Sequence, residues 1–199
     1  MTFLEDYPKI CDLRDSSKVT IRALEPADEE RLMEFFKNLP ESERVWYRDD
    51  VADPKVIHHW CHNINLDRVL PLVAVQDGKI IAMWTLHVRD YGWTRHHGQL
   101  RGTVLPNRRN LGLASLMVHD LLKLATHYEV ERLVIELVPE QQAVSQVFQN
   151  IGFRIDAVLK NWVKDFKGRY NDMYLLSMQL EPAWKKMEEL IYQYGTHGG

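Results

Sequence analysis

Hydrophobic residues follow two periods along the chain, and changes between the periods mark the predicted elements. Alternating apolar and polar residues are typical of half-buried strands, whereas an apolar spacing of three or four is typical of amphipathic helices. Asp77-Gly78 joins two apolar segments and predicts a hairpin turn. The predicted elements are strands at 19–24, 69–75, 79–88, 98–104, 132–137, 154–163 and 170–179 and helices at 27–38, 54–62, 110–127, 141–150 and 182–194. Because a helix separates the strands at 98–104 and 132–137, these two are expected to be parallel.

The segment that follows the strand at 98–104 has the properties of a phosphate-binding loop. Its small residues Gly112 and Ala114 allow main-chain N–H groups to approach an anion closely. The helix behind them directs free amides and its positive dipole end at the same place. Arg108 and Arg109 add positive charge. Neither the P-loop pattern nor the glycine pattern of dinucleotide-binding proteins occurs in the chain.

The spacing Arg109-x-x-Gly112-x-Ala114 resembles the acyl-CoA pyrophosphate loop, Q/R-x-x-G-x-G/A, of the GNAT superfamily of acyl-CoA-dependent N-acyltransferases. Ile135-Glu136-Leu137 resembles the L-E-V strand of that family, and Phe148-x-x-x-Gly152-Phe153 resembles its Y-x-x-x-G-F motif. The resemblance implies an α/β (α+β) fold in which a central mixed, mostly antiparallel sheet, flanked by helices, splays open at the acyl-CoA site. It divides the chain into an N-terminal extension at 1–18, the acetyltransferase domain at 19–179, and a C-terminal helix and tail at 180–199.

The resemblance also implies the residues that bind acetyl-CoA. The pantetheine arm would pair with the main chain of Val104 and Leu105, which would orient the thioester and stabilise the oxyanion. Gln141 would hydrogen-bond the same arm, and Phe148 occupies the position of a frequent acid tyrosine in the family. The pyrophosphate would lie on the main chain of Arg109, Asn110, Leu111, Gly112, Leu113 and Ala114.

Two positions depart from the family pattern. Gln99 stands where a base glutamate is frequent, and the ring of Phe148 has no proton to give. Glu136 is the first replacement candidate for the base, although a surface or ion-paired glutamate at a strand end is an equally good interpretation. The second candidates are His87, His96 and His97, which are also compatible with plain polar loop residues.

Composition limits the partners. A net charge of −3 argues against general nucleic-acid binding, and the chain has no apolar segment long enough to span a membrane. The N-terminus lacks the pattern of a secretory signal, so a cytoplasmic location is expected. His58, Cys61 and His62 place three possible ligands on one helical turn, but no further ligand is evident, and we expect no metal.

These features together predict an N-acetyltransferase that moves the acetyl group of acetyl-CoA to a primary amine by direct attack in a ternary complex. The acceptor would be a protein lysine, because the opening segment loosely resembles bacterial protein-lysine acetyltransferases, or a small cationic amine attracted by Asp49, Asp50 and Asp53. The alternative is a non-catalytic acyl-CoA-binding sensor or scaffold, which would explain Gln99 together with Phe148. A homodimer is possible.

Overall fold

An eight-stranded sheet organises the part of the chain that the computed structural model describes, residues 4–138, 142–165 and 167–180. Its strands lie in the order β1-β2-β3-β4-β5-β6-β8-β7, and every neighbouring pair is antiparallel except β5 and β6, which are parallel. The strands are β1 (Lys9–Asp12), β2 (Lys18–Ala23), β3 (Val69–Gln76), β4 (Lys79–His87), β5 (His97–Val104), β6 (Arg132–Leu137), β7 (Arg154–Lys164) and β8 (Tyr170–Gln179). The helices are α1 (Glu29–Lys37), α2 (Glu41–Arg44), α3 (Pro54–His62), α4 (Leu113–Ala125) and α5 (Gln142–Ile151).

Helices cover both faces of the central strand β4. All of its residues from Ile80 to Leu86 are buried, and both α1 and α4 pack against it. A strand that is buried on both faces needs a continuous apolar sequence instead of alternation, and Ile-Ile-Ala-Met-Trp supplies most of it. The core therefore lies on both sides of β4 and fixes the position of β5 beside it.

The sheet opens between β5 and β6. These strands pair only at His97–Arg132, Gly98–Leu133 and Gln99–Val134, although β5 continues to Val104 and β6 to Leu137. On its other edge β5 remains paired with β4 as far as Val104. The separated ends of the two strands form the expected splay, and continuing their register would place Arg101 opposite Glu136.

The mixed, mostly antiparallel sheet with flanking helices is confirmed, as is the parallel pairing of β5 with β6. One strand was not predicted: β1 comes from the expected N-terminal extension and pairs with β2. Its Lys9 forms an ion pair with the buried Asp120 on α4, which fastens this edge strand to the domain. With four residues, β1 is too short to show a clear alternation. The predicted helix at 182–194 lies outside the described residues.

Candidate active site

The start of α4 provides unoccupied main-chain donors. Gly112 immediately precedes the helix with a φ of +85°, and Asn110 also has a positive φ of 65°. No side chain caps the helix N-terminus. The first-turn amides of an uncapped helix have no acceptor in the helix itself, so they are available to an anion. Leu113 and Ala114 belong to this first turn, directly after the loop formed by Arg109, Asn110, Leu111 and Gly112.

The main chain of Val104 faces the splay. The Leu105 N–H donates to the Ile81 carbonyl at 2.9 Å, towards β4, and successive residues of a strand direct their groups to opposite sides. The Val104 N–H and C=O therefore point away from β4. The Leu105 carbonyl is also occupied, because it accepts from the Arg108 N–H at 2.9 Å. Of the two residues expected at the pantetheine arm, Val104 is thus the better placed through its N–H, whereas its carbonyl accepts from Arg109 Nε at 3.0 Å.

Arginines surround this loop in a way that the sequence motif only partly predicts. Arg109 turns back to the central strand, donating to the Val104 carbonyl at 3.0 Å and pairing with Glu43 at 2.5 Å. Arg14, in the turn between β1 and β2, donates its main-chain N–H to the Leu111 carbonyl at 3.1 Å. The Nε atom of Arg14 lies 3.6 Å from where a Cβ on Gly112 would stand. Sequence reasoning missed Arg14 because nearly one hundred residues separate it from the loop.

A cavity of about 1030 Å³ opens at the splay. Leu100 to Thr103 of β5 line one side and Ile135 to Leu137 of β6 line another, so both separated strands border it. Trp60 of α3 and Tyr47 contribute aromatic walls. The cavity is the space in which an acceptor can meet a group held between the separated strands.

Glu136 lies in this cavity, as expected, but it is paired. Its Oε2 accepts from the Arg48 guanidinium at 2.9 Å, and its side chain remains 34% exposed. Arg48 comes from the loop between α2 and α3, whose role no sequence motif indicated. The Glu136 carboxylate is therefore ion-paired and is also open to the cavity.

Four polar side chains share the cavity face of β4 and β5. Thr85 lies opposite Arg101 and His87 lies opposite Gln99 in the antiparallel register. The Gln99 Oε1 atom accepts from Arg101 at 2.6 Å, and His87 Nε2 lies 2.9 Å from the Thr85 hydroxyl. Burial, followed by the charges of Arg101 and Arg48, lowers the pKa of His87 to about 4. His87 is therefore neutral at physiological pH and a weak base.

The other candidate histidines lie elsewhere. His96 and His97 border a separate cavity of about 530 Å³ together with Arg132 and Asp156, and neither lines the larger cavity. Burial and the adjacent His96 lower the pKa of His97. Of the three histidines considered as a base, only His87 therefore borders the cavity at the splay.

Phe148 cannot touch acetyl-CoA in this structure, which corrects the cofactor-binding role expected for it. Its ring is fully buried, with its centroid 5.5 Å from that of Trp84 and 5.0 Å from that of Phe153. A phenyl ring in an apolar core needs no hydrogen-bond partner, so the position favours Phe. Gln141, expected on the CoA arm, lies outside the described residues.

Only one of the acidic residues that were expected to attract the acceptor lines the cavity. Asp49 is part of its lining. Asp50 instead accepts from the Ala52 N–H at 3.0 Å, and Asp53 caps α3 by accepting from the Lys55 N–H at 2.9 Å. Asp50 and Asp53 therefore have local structural roles, because turns and helix N-termini need such acceptors.

The helical turn considered for metal binding is arranged differently from the expectation. Cys61 is buried, while Glu29 of α1 approaches both His58 and His62 at 3.0 Å. The possible donor atoms of Glu29, His58 and His62 lie within 4.8 Å of one another, so this surface cluster could hold a metal ion. Hydrogen bonding from His58 lowers the pKa of Glu29. The three residues of this cluster do not line the cavity at the splay.

Comparison with known proteins gives the family. The family model described as an acetyltransferase (GNAT) domain matches residues 21–175. The chain therefore belongs to the GNAT family of acetyl-CoA-dependent N-acetyltransferases. No curated protein matches its sequence. None of the described helices is long and apolar enough to cross a membrane.

Solved structures share the fold at low sequence identity. The GNAT domain of S. lividans PAT is 19% identical with a TM-score of 0.69, covering 86% of this chain and 96% of its own. Ribosomal-protein-alanine N-acetyltransferase from Brucella melitensis is 24% identical with a TM-score of 0.70, covering 80% and 99%. The putative acetyltransferase yncA from Salmonella typhimurium, solved with acetyl-CoA, is 20% identical with a TM-score of 0.72, covering 83% and 95%.

Proposed function

We propose that this protein transfers the acetyl group of acetyl-CoA to a primary amine that enters the cavity at the splay. The acceptor is the side chain of a protein lysine or a small amine. The observation that carries the proposal is that both separated strands, Leu100–Thr103 and Ile135–Leu137, border one cavity. A thioester held between the strands would face that cavity, so amine and thioester could meet directly in a ternary complex.

The CoA side of the reaction rests on main-chain groups. The amides at the start of α4, from Leu111 to Ala114, would receive the pyrophosphate, and Arg14 and Arg108 would add positive charge beside it. The Val104 N–H, directed at the splay, would orient the thioester and stabilise the oxyanion that forms when the amine attacks. A thiolate then leaves, and since thiol pKa values are near 8.5 it departs without a strong acid. This is consistent with the burial of Phe148.

The amine must lose a proton before or during attack. Glu136 would take it, directly or through a water molecule, because its carboxylate is the acidic group on the splayed part of β6 and is open to the cavity. Arg48 would hold this carboxylate in position. His87 is the next candidate if Glu136 fails.

Release of the CoA thiol from acetyl-CoA, measured over a panel of peptides and small amines, tests the function. We expect steady release with at least one amine class and binding of acetyl-CoA by calorimetry without any amine. A protein that binds acetyl-CoA but releases no thiol with any amine would be the sensor or scaffold module instead. Light scattering of the purified protein would measure the expected homodimer directly.

A further inference from the structure

Arg101 is an unusual arginine for its position. It lies on the central strand β5, it is partly buried, and it lines the cavity. None of the ion pairs among the described residues includes it. Its partner is the neutral amide of Gln99 at 2.6 Å, and its buried Nε–H has no acceptor in the described part of the chain. Partly buried charges are costly unless they are paired.

The neighbouring carboxylates Glu136 and Asp49 favour the charge of Arg101 from a distance, but neither forms an ion pair with it. Glu136 is the carboxylate in the corresponding position across the splay, but it is held by Arg48 at 2.9 Å. The cavity-lining Glu43 and Arg68 are also committed, to Arg109 and Asp90. Burial and the charge of Arg48 lower the pKa of Arg101, and the charges of Glu136 and Asp49 offset this only in part; an arginine remains protonated at neutral pH. Among the described residues, Arg101 thus has no carboxylate within ion-pair distance.

A ligand can supply the missing partner. The guanidinium offers a planar set of donors that matches a carboxylate, and the donors not used by Gln99 remain for it. Because Arg101 lies on the sheet and not at the rim, only a group that enters the cavity can reach it. A protein lysine brings an amine into such a cavity but no anion. A small molecule that carries an amine and a carboxylate can place its amine at the splay and its carboxylate on Arg101 at the same time.

We propose that the natural acceptor is a small amine that also bears a carboxylate, and that Arg101 binds this carboxylate while the amine faces the splay. This inference rests on the proposed transferase function. It narrows the acceptor from primary amines in general to amino-acid-like molecules. It also gives Gln99 a role: its amide orients the guanidinium without neutralising it, which a glutamate in its place would do.

The test compares matched acceptors. Amino acids with the amine at the α, β or γ position are assayed beside their amides and the corresponding amines without a carboxylate, with acetyl-CoA as donor. We expect kcat/KM to be about tenfold higher or more for the best carboxylated acceptor than for its amide, as a charged hydrogen bond would give. Arg101→Gln should remove this preference through KM, lowering kcat/KM much more for the carboxylated acceptor than for its amide, and leave acetyl-CoA affinity unchanged. Arg101→Lys should restore part of it.

The control is Arg89→Gln, since Arg89 acts on Arg101 through its charge but does not line the cavity. If Arg89→Gln weakens the carboxylated acceptor as much as Arg101→Gln does, a general field is responsible and the proposal is overturned. Equal turnover of amino acids and their amides overturns it as well, while the transferase function stands. Circular dichroism shows whether each variant is folded.

Calorimetry with N-acetylated amino acids in the presence of CoA separates the two proposals further. These molecules carry the carboxylate but need no turnover. If no amine releases thiol, the transferase function fails, but binding that is present in the parent and lost in Arg101→Gln upholds the carboxylate site. No difference in binding between parent and variant overturns that site.

Discussion

The CoA half and the acceptor half of the proposed site consist of different kinds of chemical group. The proposed CoA half consists mainly of main-chain groups: the start of α4 after Gly112 and the Val104 N–H that faces the splay. The acceptor half consists of side chains from the sheet, α3 and the preceding loop, with Arg48, Arg101 and Glu136 at its centre. Main-chain sites depend on backbone geometry and small residues, whereas side-chain sites depend on which residues the fold brings together.

This difference decides how a substitution acts. A change in the CoA half matters if it alters the backbone or blocks access to it, and many side chains there can vary. In the acceptor half a single charged side chain can alter the chemistry or the choice of acceptor. The following predictions test whether a substitution can change acetyl-CoA binding without changing the binding and deprotonation of the acceptor, and the reverse.

The largest effect is expected from Glu136→Gln. Removing a general base typically lowers the rate by about 100-fold or more. Acetyl-CoA affinity should stay unchanged, because Glu136 lies in the acceptor half. Steady-state kinetics from pH 6 to 10 and calorimetry measure the two quantities.

Arg48→Gln is the matched control for that change. It breaks the same ion pair but keeps the carboxylate, so any effect of the lost pairing should appear in both variants. An unaltered kcat/KM in Glu136→Gln would show that Glu136 is not the base. His87, which lines the same cavity, would then be examined.

Gly112→Val should give the next largest effect, in the CoA half. A branched side chain is strained at a φ of +85°, and its methyl groups would stand where the pyrophosphate approaches the amides. We expect acetyl-CoA affinity to fall by about 30-fold or more, consistent with a loss of a few charged hydrogen bonds. Calorimetry measures it.

Gly78→Val separates strain from site geometry. Gly78 has a similar φ of +74° in the turn between β3 and β4, with no atom within 4 Å of a built Cβ. This variant should lose stability but bind acetyl-CoA normally. If Gly112→Val binds as tightly as the parent, the α4 N-terminus is not the pyrophosphate site.

The same contrast explains what could be predicted from the sequence. The loop around Gly112 was predictable because the small residues, the arginines and the helix start are contiguous in the chain. The splay was predictable because the loop and strand motifs of the chain resemble those of the GNAT superfamily. Arg101 and Arg48 were not predictable as candidate site residues, because Arg101 faces Glu136 across the gap in the sheet without contact and Arg48 approaches Glu136 from a loop. Neither arrangement leaves a local sequence signal.

Burial in the structure also distinguishes similar side chains whose place in the site could not be predicted from the sequence. Phe148 and Trp60 are both aromatic residues at helical positions, but the first is in the core and the second borders the cavity. His87 and His96 are both near strand ends, but only His87 lines that cavity. The outcome depends on which face of an element meets the sheet, and that is set by tertiary packing.

The free energy of unfolding at low pH should show whether the surroundings of His87 keep its imidazole neutral. Its folded-state pKa of about 4 lies below the ordinary 6.5, so the unfolded chain takes up the proton first. Stability associated with His87 is complete above pH 6.5 and is lost as the pH falls towards 4. The loss between pH 7 and pH 5 should be about 2 kcal/mol.

His87→Gln should reduce this loss, as measured by urea unfolding at the two pH values. His59→Gln is the control, because His59 borders the same cavity with an exposed side chain. If the parent and His87→Gln lose equal stability between the two pH values, His87 is not held neutral by its surroundings.

The smallest effect is expected from Arg14→Gln, which tests whether the N-terminal strand contributes to the CoA half. Arg14 is exposed, but its Nε lies 3.6 Å from the Cβ position of Gly112 and its main chain is fixed to Leu111. We expect acetyl-CoA affinity to fall about threefold to tenfold, with the effect decreasing as salt is raised because exposed charges are screened. The KM for the acceptor should not change. Lys18→Gln removes the same charge from the same hairpin, away from the loop, and should have no effect. If the two variants bind acetyl-CoA equally well, the phosphate site is complete without the N-terminal strand, and the contact between Arg14 and the loop serves only to hold that strand in place.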